Sequence, residues 1–256
     1  MITIKTEEDI KILTEGGKRH AYILKQLALA VKPGISADSL NSLAKKYIEE
    51  QNDASAFYNY TPEGAKRPYP AVLCVSINNE IVHGIPNENT KILKEGDIVS
   101  LDLGLVHKGL ITDMAVTVPV GAVSKELLNL IRATEESLYA GIEAAKGGNR
   151  IGDIGFAIQS VAKSYGFAIA EGLAGHGVGY EVHEDPFVPN TGKPGKGEKL
   201  TPGMVIAIEP MLLTGRPEIV LDKDGYTYKT ADGGYASHAE HTIVITEDSP
   251  IILTSL

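Results

Sequence analysis

Five residues suited to divalent metal binding lie between positions 102 and 240 of the sequence. Glu209 ends one apolar run and Glu240 begins another. A carboxylate on an apolar strand is costly to bury without a cation or hydrogen-bond donors, and a hydrated position at the strand end is the alternative. One imidazole with four carboxylates suits Mn(II), Fe(II) or Co(II) better than a structural zinc site. The candidate ligands are Asp102, Asp113, His176, Glu209 and Glu240.

Asp102 and Asp113 lie on the two arms of a hairpin that we predict to turn near residues 107–109. If the turn is centred between His107 and Lys108, the two aspartates face each other directly. Like charges in such a pair repel unless a cation lies between them. If the turn is centred one residue away, we expect the aspartates on different faces of the sheet, where each is simply hydrated.

His176 lies in the motif Gly175-His-Gly-Val-Gly179. Glycine lets the backbone approach a bulky group closely, and that group could be a metal. The motif superficially resembles a phosphate-binding loop, but the Lys-Ser/Thr of a P-loop does not follow it. Two bridging carboxylates can hold two metals about 3.5 to 4 Å apart with one shared water, which ionises near neutral pH.

The elements that must position these residues are predicted as two similar halves. Amphipathic helices are expected at 6–31, from 36 or 38 to 51, at 124–146 and at 151–165. Strands are expected at 72–77, 98–106, 110–118, 204–209, 218–222 and 240–245. Residues 29–34 resemble residues 143–148, about 114 positions later, although chance could produce so short a match. We predict a duplicated α+β unit, roughly 1–120 and 121–256, packed as one domain with the site where its two sheets meet.

Composition and charge restrict the class of protein. The sequence of 256 residues is 43% apolar and 22% charged, which is typical of a folded globular protein. Its net charge of -9 argues against a general nucleic-acid binder, so no DNA partner is expected. The N-terminus lacks a signal pattern, and no run of about 18 apolar residues predicts a membrane span. Cys74 is the only cysteine, which agrees with a reducing compartment. We expect a cytoplasmic monomer.

The order and spacing of the five candidate ligands resemble the creatinase/aminopeptidase superfamily. Shorter motifs are similar to those of the type I methionine aminopeptidases: His83-Gly-Ile-Pro86, Gly175-His-Gly-Val-Gly179, His183-Glu-Asp-Pro186, Ile208-Glu-Pro-Met211 and Glu240-His-Thr-Ile-Val244. The resemblance covers nearly the whole chain. It implies an α+β pita-bread fold, with two pseudo-symmetric helix-helix-sheet halves around a central dinuclear site. It also implies two divalent ions, which could be Co, Mn, Fe(II) or Zn.

The resemblance also implies a role for each ligand. Asp102 would bind one metal, and His176 with Glu209 would bind the other. Asp113 and Glu240 would bridge both.

Three catalytic residues are implied in the same way. Glu209 would shuttle a proton from water to the leaving amine. His183 would hydrogen-bond the scissile carbonyl, and His83 would contact the substrate backbone and assist proton movement. An isolated histidine is ordinarily structural, so four others receive no catalytic role: His20, His107, His238 and His241.

The methionine pocket departs from the family pattern. Phe57 stands where cysteine is frequent, Val182 where an aromatic residue is frequent, and Tyr226 where tryptophan is frequent. An apparent insertion, roughly Thr61 to Pro68, has no assigned role. A thioether packs favourably against aromatic rings and sulfur, with core packing as the alternative for each residue. The pocket candidates are Phe57, Tyr60, Tyr69, Cys74 and Tyr226.

The implied activity is hydrolytic removal of methionine from the N-terminus of nascent chains, with a preference for a small second residue. One alternative is an X-Pro aminopeptidase or prolidase, although these usually have a large extra N-terminal domain. Another is a non-catalytic peptide-binding module, although such modules commonly lose metal ligands. The loop with Lys193, Lys196 and Lys199 could contact ribosomal RNA near the exit tunnel, with simple solvation as the alternative.

Overall fold

A computed structural model describes residues 1–62 and 64–256, so Glu63 in the apparent insertion lies outside the described residues. The four predicted helices are confirmed within about two residues at each end. They are α1 (Glu7–Ala30), α2 (Ala37–Glu50), α3 (Lys125–Ala144) and α4 (Ile151–Tyr165). Hydroxyl side chains begin three of them, because Thr6, Ser36 and Ser124 each accept a hydrogen bond from the backbone N–H three residues on. Helix α4 ends at Gly166, whose φ of 80° belongs to the left-handed region that glycine favours.

Short strands fill the rest of each half. In chain order they are β1 (Ala54–Ser55), β2 (Cys74–Ile77), β3 (Glu80–Val82), β4 (Ile98–His107), β5 (Leu110–Pro119), β6 (Ala168–Ile169), β7 (Ala174–Gly177), β8 (Glu184–Pro189), β9 (Val205–Ile208), β10 (Met211–Leu213), β11 (Ile219–Leu221), β12 (Tyr228–Thr230), β13 (Ala236–His238), β14 (Glu240–Val244) and β15 (Ile251–Ile252). The order helix, helix, strands therefore occurs twice along the chain.

One large sheet joins the two halves. Its nine strands include the path β1-β4-β5-β14-β9-β7-β8, with β2 on β4 and β15 on β14. Two three-stranded sheets, β13-β10-β6 and β11-β12-β3, complete the set.

The expectation that each half has a separate sheet is wrong, because β5 of the first half pairs directly with β14 of the second. Thr242 on β14 strengthens this contact, since its hydroxyl accepts from the Asp113 N–H at 2.8 Å and donates to the Asp113 carbonyl at 2.7 Å. Pairing of this kind satisfies the backbone groups that two separate sheet edges would leave free.

Each helix pair packs on the strands of its own half. Leu27 of α1 and Leu40 of α2 are fully buried in a cluster with Leu101 of β4. Ile154 of α4 belongs to a second cluster with Ile206 of β9. The helices cover one face of the sheet through these apolar contacts, which stabilise the fold in proportion to the area removed from water.

Within residues 1–62 and 64–256, every helix is too short or too polar to cross a membrane.

Candidate active site

The hairpin of β4 and β5 differs from both predicted registers. Its two turn residues are Lys108 and Gly109, whose φ angles of 49° and 84° are typical of a tight type I′ turn. Asp102 pairs with Ala115, two residues beyond Asp113, so the prediction of a direct pair is wrong. The predicted alternative is wrong as well. Moving the turn centre by one residue shifts the pairing by two positions, so both aspartates keep the same face as diagonal neighbours.

Three carboxylates converge because β4, β5 and β14 lie side by side and carry acidic residues at nearly the same level. Ala115 on β5 pairs with Asp102 on one side and with Glu240 on the other. Asp113 projects from the same face of β5, two residues away. The methyl group of Ala115 leaves space between the acidic side chains.

The glycines beside His176 serve a different purpose from the one predicted. A side chain at Gly175 would collide with the carbonyl oxygen of Ala207, and one at Gly177 with the carbonyl oxygen of Asp185. These glycines therefore let β7 approach its neighbouring strands closely. The proposed close approach to a metal is not their physical reason.

His176 is oriented as a metal-binding imidazole would be. Its Nδ1 donates to the Gly177 carbonyl at 2.9 Å, which leaves the Nε2 lone pair free. Nε2 lies 3.5 Å from Glu209 Oε1. Ligand atoms of Asp113, His176 and Glu240 lie within 4.8 Å of one another. This geometry fits donors around a single cation.

Burial and mutual repulsion raise the pKa values of three carboxyl groups. Burial raises the pKa of Asp102 to about 7, with His238 opposing the shift and Glu209 adding to it. Burial also raises the pKa values of Asp113 and Glu240 well above the usual range, and neighbouring acidic charges add to both shifts. A divalent cation would offset the desolvation and the repulsion together.

Two buried oxygens support the same interpretation. Among the described residues, Asp102 Oδ1 and Glu240 Oε1 have no hydrogen-bond partner. Buried polar atoms are almost always satisfied, so such atoms need an explanation. Their chemistry as hard oxygen donors fits Mn(II), Fe(II), Co(II) or a catalytic zinc ion. The residues present therefore fit a divalent metal centre.

Glu209 differs from the other carboxylates. Burial alone would raise its pKa, but contact with His238 and the proximity of His176 outweigh this effect and bring the pKa below the ordinary glutamate value. Because its pKa is lowered, Glu209 is ionised at neutral pH and can accept a proton.

His238 is a member of the site that the sequence did not predict. Its Nε2 lies 3.4 Å from Glu209 Oε2 and 3.8 Å from Glu240 Oε2, and the side chain is 1% exposed. Both distances exceed an ordinary hydrogen bond, so we treat the contacts as electrostatic. No local sequence pattern indicated this position, because His238 ends β13 and Glu240 begins β14, and the two strands belong to different sheets.

His83 and His183 approach the centre from two loops. His83 has a φ of 59°, which is uncommon outside glycine and often marks a constrained site. Gly84 follows it because a side chain there would collide with the Val75 carbonyl. The His183 ring lies 4.5 Å from the His176 ring, and its Nδ1 is 3.0 Å from the Tyr60 hydroxyl.

Desolvation lowers the pKa values of both histidines. Burial lowers the pKa of His83, and partial burial beside His176 lowers the pKa of His183. Both imidazoles are therefore neutral near pH 7, and each has one N–H to donate.

All five predicted pocket residues lie together beside the carboxylates. The Tyr69 ring makes edge contacts with Phe57 at 6.5 Å and with Tyr226 at 5.2 Å. Cys74 is buried on β2, paired with Asp102. Tyr60, Pro62 and Val182 complete this lining.

A small pocket and an open cleft meet at the candidate centre. The pocket has a volume of about 70 Å³ and ends among the aromatic side chains. The cleft has a volume of about 710 Å³ and extends past Tyr180 and Phe187. Four residues line both spaces: His83, His176, His183 and Glu209. A bond held at this boundary would have one side chain in the pocket and the rest of a polypeptide in the cleft.

Comparison with known proteins identifies the family. The sequence model of metallopeptidase family M24 matches residues 11–247. A methionine aminopeptidase of Aquifex aeolicus (strain VF5) is 45% identical over 257 residues, which cover 100% of this chain and 99% of the relative. The crystal structure of a methionine aminopeptidase from Thermotoga maritima has a TM-score of 0.95 and 41% identity, with 100% of each chain covered.

More distant structures share the fold alone. An Xaa-Pro dipeptidase from Bacillus anthracis has a TM-score of 0.76 at 22% identity, covering 99% of this chain and 62% of that chain. The predicted pita-bread α+β fold is confirmed by these neighbours. Together with the cluster of oxygen and imidazole donors, the match shows that the chain belongs to metallopeptidase family M24.

Proposed function

We propose that this chain removes the N-terminal methionine from nascent polypeptides by metal-assisted hydrolysis of the first peptide bond. The observation that carries the proposal is the boundary between the small pocket and the open cleft, where the three candidate catalytic residues meet the candidate metal ligand His176. One side chain fits on one side of that boundary and a continuing polypeptide on the other. Relatives of the same length that are named methionine aminopeptidases support the same reaction.

The pocket suits an unbranched apolar side chain. Tyr69 is 4% exposed, Cys74 3% and Tyr226 6%, so they offer rings and sulfur in a water-poor environment. A thioether packs favourably against such groups. On the other side of the bond, the close contact of His176 with His183 crowds the second residue of the substrate. We therefore expect Gly, Ala or Ser at that position.

We propose two divalent metal ions, with Co, Mn, Fe(II) or Zn as the candidates. Asp102 would bind one ion, His176 and Glu209 the other, and Asp113 and Glu240 both. When bound, such ions polarise a carbonyl group and lower the pKa of water. The buried carboxyl groups with raised pKa values support this assignment.

The chain's own residues orient the substrate and move protons. A Tyr60 hydroxyl that donates to His183 Nδ1 leaves the His183 Nε2–H free to donate to the scissile carbonyl oxygen. Glu209, ionised beside His238, accepts a proton from water and returns it to the leaving amine. His83 lies where it can contact the substrate backbone and assist this transfer.

The wider setting is also a proposal. We propose that residues 1–256 form one catalytic domain, which the pairing of β5 with β14 supports, and that the chain works as a cytoplasmic monomer on nascent chains. Lys193, Lys196 and Lys199 are exposed on one loop and could contact ribosomal RNA, with solvation as the alternative. Cosedimentation with ribosomes, repeated after all three lysines are replaced by glutamate, separates these alternatives.

Peptide hydrolysis tests the activity directly. The metal-stripped protein is given single divalent ions and assayed with Met-Ala-Ser, with Met-Lys-Ser and with Ala-Pro and Leu-Pro peptides. We expect methionine release from Met-Ala-Ser to be fastest and Met-Lys-Ser to be cleaved poorly. Glu209→Gln serves as the inactive control. Faster cleavage of the X-Pro peptides would instead assign the prolidase-like alternative.

A further inference from the structure

The chain segment that contains the apparent insertion returns on itself beside the pocket. The Asn59 N–H donates to the Tyr69 carbonyl at 2.9 Å, and the Tyr69 N–H donates to the Tyr60 carbonyl at 2.8 Å. These bonds close the base of a loop, so Tyr60 and Tyr69 remain adjacent although eight residues separate them in sequence. Pro62 on the outgoing arm lines the pocket together with both tyrosines.

Arg67 on the returning arm binds two other segments of the chain. Both terminal nitrogens of its guanidinium donate to the Glu88 carboxylate, with the second at 2.7 Å. The same second nitrogen also donates to the Asp224 carbonyl at 3.1 Å. The Arg67 carbonyl accepts from the Tyr226 hydroxyl, and the guanidinium carbon lies 5.9 Å from the centre of the Tyr226 ring. A planar guanidinium is suited to such a two-point contact.

One of the segments that Arg67 contacts, the turn that contains Tyr226, shapes the pocket. Tyr226 lies in the turn between β11 and β12, which Asp224 stiffens by accepting from the backbone N–H groups of Tyr226 and Thr227. The Tyr226 ring in turn packs edge-on against Tyr69 at 5.2 Å. The five proposed metal ligands lie elsewhere, on or directly beside β4, β5, β7, β9 and β14. The outer wall of the pocket, formed by Tyr226 and the loop base, is therefore built from elements that carry none of the proposed metal ligands.

We propose that the Arg67–Glu88 ion pair is a latch that fixes the outer wall of the methionine pocket and thereby determines which first side chain is accepted. This inference rests on the proposed function and assigns a specificity role to the insertion. Arg67 acts through Tyr226 and the loop base, so it is a positioning residue. Its side chain is 39% exposed and that of Glu88 32%, so the pair contributes modestly to folding but can still hold a loop in register.

Selectivity among first side chains tests the latch. Arg67→Ala, Arg67→Lys and Glu88→Gln are compared with the unsubstituted chain on X-Ala-Ser peptides, where X is methionine, norleucine, leucine or phenylalanine. Lys66→Ala is the matched control, because it removes the same charge from the neighbouring exposed position. We expect Arg67→Ala to raise KM for Met-Ala-Ser about threefold to tenfold with kcat within about twofold, and to lower the methionine-to-leucine ratio of kcat/KM by about threefold or more.

A charge exchange separates the latch from a general loop defect. Arg67→Glu combined with Glu88→Arg should recover at least about half of the lost selectivity, because it rebuilds the pair in reverse. If Arg67→Ala does not fold by circular dichroism, Arg67→Lys and Glu88→Gln provide the decisive comparison, with a partial loss expected for each. Unchanged selectivity in the folded Arg67 and Glu88 variants would overturn the latch, as would an equal loss in Lys66→Ala. If the unsubstituted chain releases no methionine from any peptide, the proposed function fails instead.

Discussion

Replacing Asp102 with asparagine should reduce the pH sensitivity of the metal-stripped protein. Burial raises the pKa of Asp102 to about 7 in the folded chain, against an ordinary value of 3.8. A carboxyl group with a raised folded-state pKa contributes its full stability below the unfolded pKa and loses it as pH rises through the folded pKa. The loss therefore begins near pH 4 and is complete somewhat above pH 7. Between about pH 5 and pH 7 the free energy of unfolding falls by about 1.36 kcal/mol per pH unit, or about 3 kcal/mol in total.

Urea unfolding of EDTA-treated protein measures this difference. The unsubstituted chain should lose about 3 kcal/mol more than Asp102→Asn between about pH 5 and about pH 8. The buried amide of the variant has a cost of about 1 to 3 kcal/mol, but this cost is independent of pH and cancels in the comparison. The Asp102 charge also adds to the raised pKa values of Asp113 and Glu240, so its removal reduces their share of the pH dependence in the same direction. Asp248→Asn, at an exposed position, is the matched control and should follow the unsubstituted chain.

Metal addition should stabilise the unsubstituted chain more than the asparagine variant. At about pH 8, Mn(II) at a hundredfold excess over its dissociation constant should stabilise the unsubstituted chain by about 3 kcal/mol, since it binds the folded state alone. The asparagine variant should gain much less. Equal pH dependence of the two metal-stripped proteins would refute the reasoning, because the pKa of Asp102 would then not be raised in the folded chain.

Three further outcomes are expected from the same site. Asp113→Asn should lower metal content and hydrolysis together while circular dichroism stays unchanged; normal metal content with normal turnover would remove Asp113 from the centre. His183→Ala should lower kcat about a hundredfold to a thousandfold, or about 3 to 4 kcal/mol, because the carbonyl oxygen gains charge towards the transition state. An effect on KM alone would indicate ground-state binding instead. His238→Ala should weaken metal binding in calorimetric titrations about tenfold or more, whereas His238→Gln, which keeps an N–H dipole facing the two carboxylates, should retain most of it; equal losses would exclude an electrostatic role for that N–H.

Local chemistry made the helices predictable from the sequence. Thr6 and Ser36 are capping residues, and Gly166 follows the last turn of α4 with a positive φ. Each signal acts within about one helical turn of the residue that carries it. Glu209 and Glu240 were candidates for a similar reason, since carboxylates rarely border apolar strands without a partner. The roles of all five ligands were implied only by the family resemblance.

The hairpin register was harder to predict, because moving the turn by a single residue changes which residues pair across the two strands. Type I′ turns favour Asn-Gly or Asp-Gly, and here Lys108 occupies the first position with a φ of 49°. The lysine side chain explains the position in part, since its ammonium binds Glu15 of α1 at 2.7 Å. Glu15 and Lys108 are far apart in sequence, so no local sequence pattern indicates this contact.

His238 and the shared sheet escaped prediction for a related reason. No sequence pattern near β14 indicates that it pairs with β5 and β9. His238 lies on β13 in another sheet, so its place beside Glu240 depends on how the chain passes from one sheet to the other at Ala239. The glycines around His176 were assigned to a metal because a close approach was expected, and the approaching groups are the carbonyls of Ala207 and Asp185.

The position of β14 between β5 and β9 also affects how the protein is made. Thr242 and Asp113, which hold this pairing together, are separated by 129 positions. While the chain emerges from the ribosome, one edge of β5 remains unpaired until β14 has been synthesised. An unpaired strand edge can pair with other chains. Glu240 arrives with that same strand, so the acidic cluster closes at the moment the edge is covered. The site can therefore bind a cation with its full set of carboxylates only after the long-range pairing of β5 with β14 has formed.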